Sequence, residues 1–288
     1  MRNTLLFLFV SFLCLASCKD MPGYSTTQTA ENTSTLDYLR SETGLISSHR
    51  GGKGIKNHPE NALETIQHLY ARGIRVFEID IIGTSDDELM LFHDDHLERL
   101  TNGTGKIQGL TSTQLRDLLL VDDFGNYTKI RIPFLKDVLQ WGAKNDSYFM
   151  IDFKRSASYE KTIELIRQYG MEDRCILISY NNAQATKLHK LAPEMLLSVS
   201  ARNNDELNRI LAANIPSNKM VAFTGTRLSD QALYDRLKEM QIPIILGTLG
   251  NLDRMAEARG DQLYREWRDR GINIFATDRP IEAFNVLD

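Results

Sequence analysis

Cysteine is scarce in this chain: three residues in 288, of which Cys14 and Cys18 fall within the first 18. That excludes a disulfide framework, and Cys175, alone in the body within the apolar run CILIS, reads as a buried thiol. Basic residues are not in excess either. Lys and Arg number 34 against 38 Asp and Glu, a formal charge of −4, so the basic patch that nucleic-acid binding requires has no footprint here. The chain has no HExxH, no paired CxxC and no His-x-His, which disfavours a zinc peptidase or an amidohydrolase-type barrel. Internal repeats and long blocks of like charge are also missing.

What is present begins with a targeting signal. Arg2 precedes an apolar stretch from Leu5 to Ala16, too short to span a bilayer comfortably. It ends in Leu15-Ala16-Ser17-Cys18, which resembles a bacterial lipobox. The expectation is therefore a lipoprotein signal peptide over residues 1–17, with Cys18 as the lipidated first residue; a plain secretory signal cut nearby is the alternative. Either places the mature protein outside the cytoplasm, in the first case lipid-anchored in the bacterial cell envelope (periplasm or outer membrane). Residues 18–42 shift to Ser, Thr, Gln and Asn with few apolar residues, and read as a flexible tether to the membrane.

From residue 43 to 288, apolar β-branched runs alternate with segments of helical period. Strands are expected at Leu45–His49, Val76–Ile82, Tyr148–Phe153, Cys175–Ser179, Leu196–Ser200, Met220–Phe223, Pro243–Gly247 and Asn273–Thr277. Helical patterns cover Asn61–Arg72, Ser158–Tyr169, Asn181–Leu191, Asn204–Ala213, Ser229–Met240 and Leu252–Arg270. Eight such units predict an α/β fold, an irregular TIM (β/α)8 barrel. The run Glu88–His93 is left over as a hairpin arm. Residues 102–133 break the alternation and form a small excursion with a helix over Ser112–Leu119.

Polar residues fall where such a barrel needs them, at strand ends. Glu78 and Asp80 are two apart on a strand and share a face, while Phe77, Ile79 and Ile81 take the other. Asp152 and Lys154 repeat that spacing on the next strand, and His49 ends the first. If Asp86-Asp87 is a two-residue hairpin turn, Asp80 lies directly opposite His93. Acids and imidazoles on one buried face need a cation or a substrate to offset their burial. Oxygen ligands alone suit a hard ion, Ca²⁺ or Mg²⁺, better than zinc. Arg50 after His49 offers a planar fork suited to phosphate, and Gly51-Gly52 admit close backbone approach. Asp94 is available to hold the His93 ring, and His96 reads as a solvated loop residue. Asn61, with Glu64 three residues on, reads as a helix N-cap, with orienting a site loop as the alternative.

In this order His49-Arg50-Gly51, Pro59-Glu60-Asn61, Phe77-Glu78-Ile79-Asp80, His93-Asp94, Arg99-Leu100-Thr101, Ile132-Pro133-Phe134-Leu135, Asp152-Phe153-Lys154 and Thr277-Asp278-Arg279-Pro280 make the chain resemble the glycerophosphodiester phosphodiesterase family. The resemblance runs from about residue 45 to 285. It implies a TIM barrel, one divalent cation, and cleavage of glycerophosphodiesters to glycerol phosphate and an alcohol. Carried over by position, it makes His49 and His93 the acid–base pair, Glu78, Asp80 and Asp152 the metal ligands, and Arg50 and Lys154 the phosphate-binding residues. Two departures stand out. The third metal position is usually Glu and here is Asp152, and the family's tryptophan in the penultimate strand is replaced within Leu246–Asn251. The competing readings are a phospholipase-type enzyme acting on lysophospholipid or phospholipid, and a non-catalytic lipoprotein that binds phosphodiesters.

Overall fold

The computed structural model describes residues 35–42 and 44–288; the expected signal peptide, Cys18 and the first part of the expected tether lie outside them. The strands, in chain order, are β1 (Leu45–Ser48), β2 (Val76–Gly83), β3 (Leu89–Leu91), β4 (Leu119–Val121), β5 (Tyr127–Arg131), β6 (Tyr148–Phe153), β7 (Cys175–Ile178), β8 (Leu196–Ser200), β9 (Met220–Phe223), β10 (Ile244–Gly247) and β11 (Ile274–Thr277). Eight of them close a parallel barrel in the order β1-β11-β10-β9-β8-β7-β6-β2, with β2 returning to β1. The TIM-type architecture and all eight expected barrel strands are present, within a residue at either end.

Alternation explains the two-layered core. Outward-facing residues such as Phe77, Ile79, Phe149, Ile151, Leu177 and Leu197 pack against the surrounding helices. Inward-facing Val76, Tyr148, Met150, Ile176, Val221 and Ile245 fill the barrel. The helices over residues 61–72, 158–169, 181–191, 204–213 and 229–240 form as α2 (Leu63–Tyr70), α5 (Tyr159–Gln168), α6 (Asn182–Leu191), α7 (Asn204–Leu211) and α8 (Gln231–Glu239); α1 (Thr35–Ser41) precedes them, and α3 (Ser112–Arg116) and α4 (Leu135–Ala143) lie between α2 and α5. The expected single helix over Leu252–Arg270 is two, α9 (Asn251–Arg259) and α10 (Leu263–Arg268), broken at Gly260, whose φ of +112° a side chain would resist. A last helix, α11 (Pro280–Leu287), begins with proline at its first turn.

Two further expectations need correction. Residues 35–41, counted within the tether, are helix α1, because Leu36 and Leu39 have the barrel floor to bury against and Tyr38 stacks on Tyr148 at 4.9 Å. The hairpin arm also pairs one residue out of the expected register: Ile81 faces Leu91 and Ile82 faces Met90. Its turn has three loop residues, Ser85 to Asp87, with Asp87 in the left-handed region at φ 69° and Thr84 pairing with Glu88. Asp80 therefore meets Phe92, whose N–H donates to the Asp80 carbonyl, and His93 lies beyond. Over residues 102–133 the excursion is a β4–β5 ribbon with α3, which is capped by Thr111 and Gln114. It packs on the barrel rim through Ile82, Met90, Phe92, Leu100 and Leu120. Helix α3 stops at Arg116 because Leu119 is taken into β4.

Candidate active site

Strand β2 outruns β1: only Val76 and Phe77 pair with β1, while Ile81 to Gly83 pair with β3. The space above β1 is thus filled by two turns, one carrying His49 and the other His93. His49 opens a tight turn in which Arg50 adopts φ 55°, a left-handed conformation costing about 1–2 kcal/mol for a residue with a Cβ. The turn is held by a hydrogen bond from the Arg50 N–H to Glu78 Oε2 at 2.7 Å and one from the Asn61 N–H to the Arg50 carbonyl at 2.6 Å. Gly52, at φ 136°, lets α2 close in; a Cβ there would sit 2.5 Å from Thr65 Cγ2.

Glu78, Asp80 and Asp152 point into the barrel mouth from β2 and β6, where Asp80 and Asp152 are register partners. Each offers an oxygen within 4.8 Å of the others, all three buried. Asp152 thus reaches the cluster although it is one methylene shorter than glutamate. Lys154 lies between two of the acids, its Nζ 2.6 Å from Asp80 Oδ1 and 2.7 Å from Asp152 Oδ2. Burial works against its charge, yet the Asp80 and Asp152 carboxylates raise its pKa above the ordinary lysine value. Glu78 shifts upward too, through burial first and the Asp80 charge second. The buried Asp152 Oδ1 has no hydrogen-bond partner. An all-oxygen cluster with an orphaned lone pair and a cation already drawn against it fits a divalent ion.

The two imidazoles are built alike. His49 Nδ1 is 2.6 Å from Asp278 Oδ1 with Nε2 4.0 Å from Glu78, and His93 Nδ1 is 2.6 Å from Asp94 Oδ1 with Nε2 2.7 Å from Arg50 Nη2. These networks place the Nδ1 proton on the carboxylate side of each ring. For His49, burial favours the neutral form, but the Asp278 hydrogen bond and the Glu78 charge outweigh it and its pKa is raised. Both rings line a cavity of about 240 Å³ with Glu78, Asp80, Asp152 and Lys154.

Of the seven residues expected to serve in catalysis, metal binding or phosphate binding, Arg50 alone does not line that cavity; its guanidinium is tied to Glu60 at 2.9 Å and to His93. Asn61 is not a helix cap: Ala62 holds that position, and the Asn61 side chain is turned to Asp80 instead. Sequence reasoning missed the roles of Glu60, Arg99 and Asp278, all present in the quoted motifs but paired only through the fold. It also missed the aromatic lining. Phe223 at the end of β9 and Tyr180 after β7 face the cavity, with Leu249 near where the family's tryptophan was expected. A second acidic group, Glu60, His93 and Asp94, is already filled by the Arg50 and Arg99 guanidinium groups.

Known proteins resemble this chain in sequence and fold. The chain is 32% identical over 239 residues to a glycerophosphodiester phosphodiesterase of Bacillus altitudinis, covering 80% of this chain and 97% of that one. It superposes with a TM-score of 0.79 on a glycerophosphoryl diester phosphodiesterase from Parabacteroides distasonis, at 29% identity over 88% of this chain and 92% of the other. An Oleispira antarctica phosphodiesterase, in complex with the product sn-glycerol-3-phosphate, shares the fold at 20% identity with a TM-score of 0.70, over 87% and 99% of the two chains. The profile of the glycerophosphoryl diester phosphodiesterase family matches residues 49–276, from the first histidine of the site into the last barrel strand. On that match the chain belongs to the glycerophosphoryl diester phosphodiesterase family.

Proposed function

We propose that the protein hydrolyses glycerophosphodiesters to glycerol phosphate and an alcohol, using His49 and His93 as an acid–base pair and one divalent cation, Ca²⁺ or Mg²⁺, held by Glu78, Asp80 and Asp152. The observation that carries this reading is the convergence of three buried carboxylates, one with an unpartnered oxygen, between two imidazoles that are each pinned at Nδ1 by a carboxylate. The family is divalent-metal dependent, and the Oleispira relative's product is the glycerol phosphate this reaction would release. When bound, such an ion supplies electrostatic stabilisation of charge on the phosphoryl oxygens. One imidazole, neutral, takes the proton of the nucleophile, either water or the glycerol 2-hydroxyl, as that oxygen bonds to phosphorus. The other, protonated, gives its proton to the departing alkoxide as the P–O bond breaks. Where the 2-hydroxyl attacks, water then opens the cyclic phosphate, with the two imidazoles exchanging roles, to give the same glycerol phosphate. With Nδ1 pinned in both rings, the exchange falls to Nε2. Lys154 lines the cleft and is the cation at hand for the phosphate oxygens; Arg50 would join it only by releasing His93 Nε2 and turning into the cleft.

The test is turnover of a panel of glycerophosphodiesters by the purified mature protein, with and without chelator. His49→Ala and His93→Ala should each lose about 10²–10⁴-fold. Wild-type rates in both variants, or indifference to chelator, would overturn the reading. The apolar wall of Ile178, Phe223, Ile245 and Leu249 favours one second reading, action on lysophospholipid. Faster turnover of lysophosphatidylcholine than of glycerophosphocholine would establish it. We further propose lipid anchoring at Cys18 in the cell envelope, on the lipobox-like sequence alone. Cys18→Ala should then move the protein from the membrane to the soluble fraction.

A further inference from the structure

His93 stands two residues beyond the end of β3, where no ladder hydrogen bond fixes it. A loop-borne imidazole needs another support, and a chain of side chains supplies one. Its Nδ1 bonds Asp94 Oδ1 at 2.6 Å. Arg99 grips the same carboxylate with Nε and Nη2, both at 2.6 Å. The opposite edge of the Arg99 guanidinium, Nη1 and Nη2, bonds both oxygens of Glu60 at 2.9 Å. Glu60 is almost wholly buried and also receives Arg50 Nη1 at 2.9 Å and Lys53 Nζ at 3.3 Å. Arg50 closes the circuit through Nη2, 2.7 Å from His93 Nε2. Neither Glu60 nor Arg99 lines the cavity. His49 is held otherwise: its partner Asp278 follows β11 directly and is fixed through its own N–H to Asp253 Oδ2 at 2.8 Å.

We infer that Glu60 and Arg99 are positioning residues for His93, holding Asp94 so that the imidazole keeps its proton on Nδ1 and leaves Nε2 as the unprotonated nitrogen, which Arg50 Nη2 meets at the cleft's edge. Two bidentate edges on one planar group fix an angle as well as a distance, which a point charge cannot do. Arg99→Lys should therefore behave like Arg99→Gln and not like wild type. The catalytic part of this inference rests on the reading of His93 given above; the structural part does not.

The decisive measurement is the imidazole ¹⁵N spectrum of the full-length mature protein, with the His93 signals identified by their loss in His93→Gln. Wild type should show the Nδ1–H form. Arg99→Lys, Arg99→Gln and Glu60→Gln should each show a mixture of tautomers, with kcat lowered by about 10²-fold and KM within about twofold. Should Glu60→Gln fail to fold, the half-exposed Arg99 still provides two variants. Retention of both the Nδ1–H form and wild-type kcat in the Arg99 variants would overturn the inference, as would rescue by Arg99→Lys. If wild type turns over no glycerophosphodiester, the functional reading fails and the tautomer spectrum alone decides this one.

Discussion

Asn61 and Asp80 hold each other from both ends. The Asn61 Nδ2 donates to Asp80 Oδ2 at 2.6 Å, and the Asp80 main-chain N–H donates to Asn61 Oδ1 at 3.0 Å. Both residues are buried, and Asn61 sits at φ 55°, which asparagine tolerates better than most residues. Asn61→Ala removes a donor from a buried carboxylate and an acceptor from a strand N–H while keeping the left-handed backbone. The expected cost is about 2–3 kcal/mol, read as a lower urea midpoint with unchanged slope. Asn61→Gly relieves the backbone but loses the same bonds, so it should fall between alanine and wild type.

Glu60 gives the fold an acid-sensitive joint. Burial alone would raise its pKa, but the Arg99 hydrogen bonds and the charges of Arg50, Lys53 and Arg99 lower it to about 2. A carboxylate depressed in the folded state stabilises the protein above its unfolded value, near 4.5, and that contribution is lost as pH falls through 4.5 towards 2. Its full size is about 3 kcal/mol. Urea midpoints measured across this window should fall more steeply in wild type than in Glu60→Gln. Parallel profiles would mean that the cluster contributes nothing to acid stability.

What could be read in the chain, and what could not, divides by range. The acids of β2 and β6 were legible because alternation within a single strand decides their face, whatever the rest of the fold does. The arm's register was not: Ser85-Asp86-Asp87 reads equally well as a two- or a three-residue turn, and only the left-handed Asp87 selects the longer one. Asn61 carried a capping-box pattern with Glu64, yet a buried carboxylate 19 residues away outcompeted the helix N-terminus for its side chain. Glu60, Arg99 and Asp278 are ordinary surface letters until the barrel brings each against a partner far along the sequence.

The proposed cation site has a readout that needs no substrate. An ion bound only to the folded state adds RT ln(1 + [ion]/Kd), about 2.7 kcal/mol at a hundredfold excess over Kd. Ca²⁺ or Mg²⁺ should therefore raise the melting temperature of wild type. Asp152→Asn, which keeps shape but removes one carboxylate charge, should lose most of that rise, and Asp152→Glu should retain it. An equal rise in the Asn variant would place the ion elsewhere.

Leu39 tests whether the segment before the barrel belongs to the fold. It is fully buried on α1, clustered with Val76, Tyr148, Leu196 and Ile274 inside the barrel. The helix has only seven residues, too few to be stable in water by propensity, so its existence depends on this burial. Leu39→Ala should cost about 2–5 kcal/mol, the range for a leucine truncated in a packed core. Tyr38→Ala should remove the stacked contact with Tyr148 and cost less, since Tyr38 is not fully buried. The acids of the candidate site enter from the opposite end of the barrel, so both variants should keep kcat near wild type at temperatures where they remain folded. Thermal melts and turnover measured on the same samples separate the two effects. A Leu39→Ala protein that melts like wild type would return residues 35–41 to the tether.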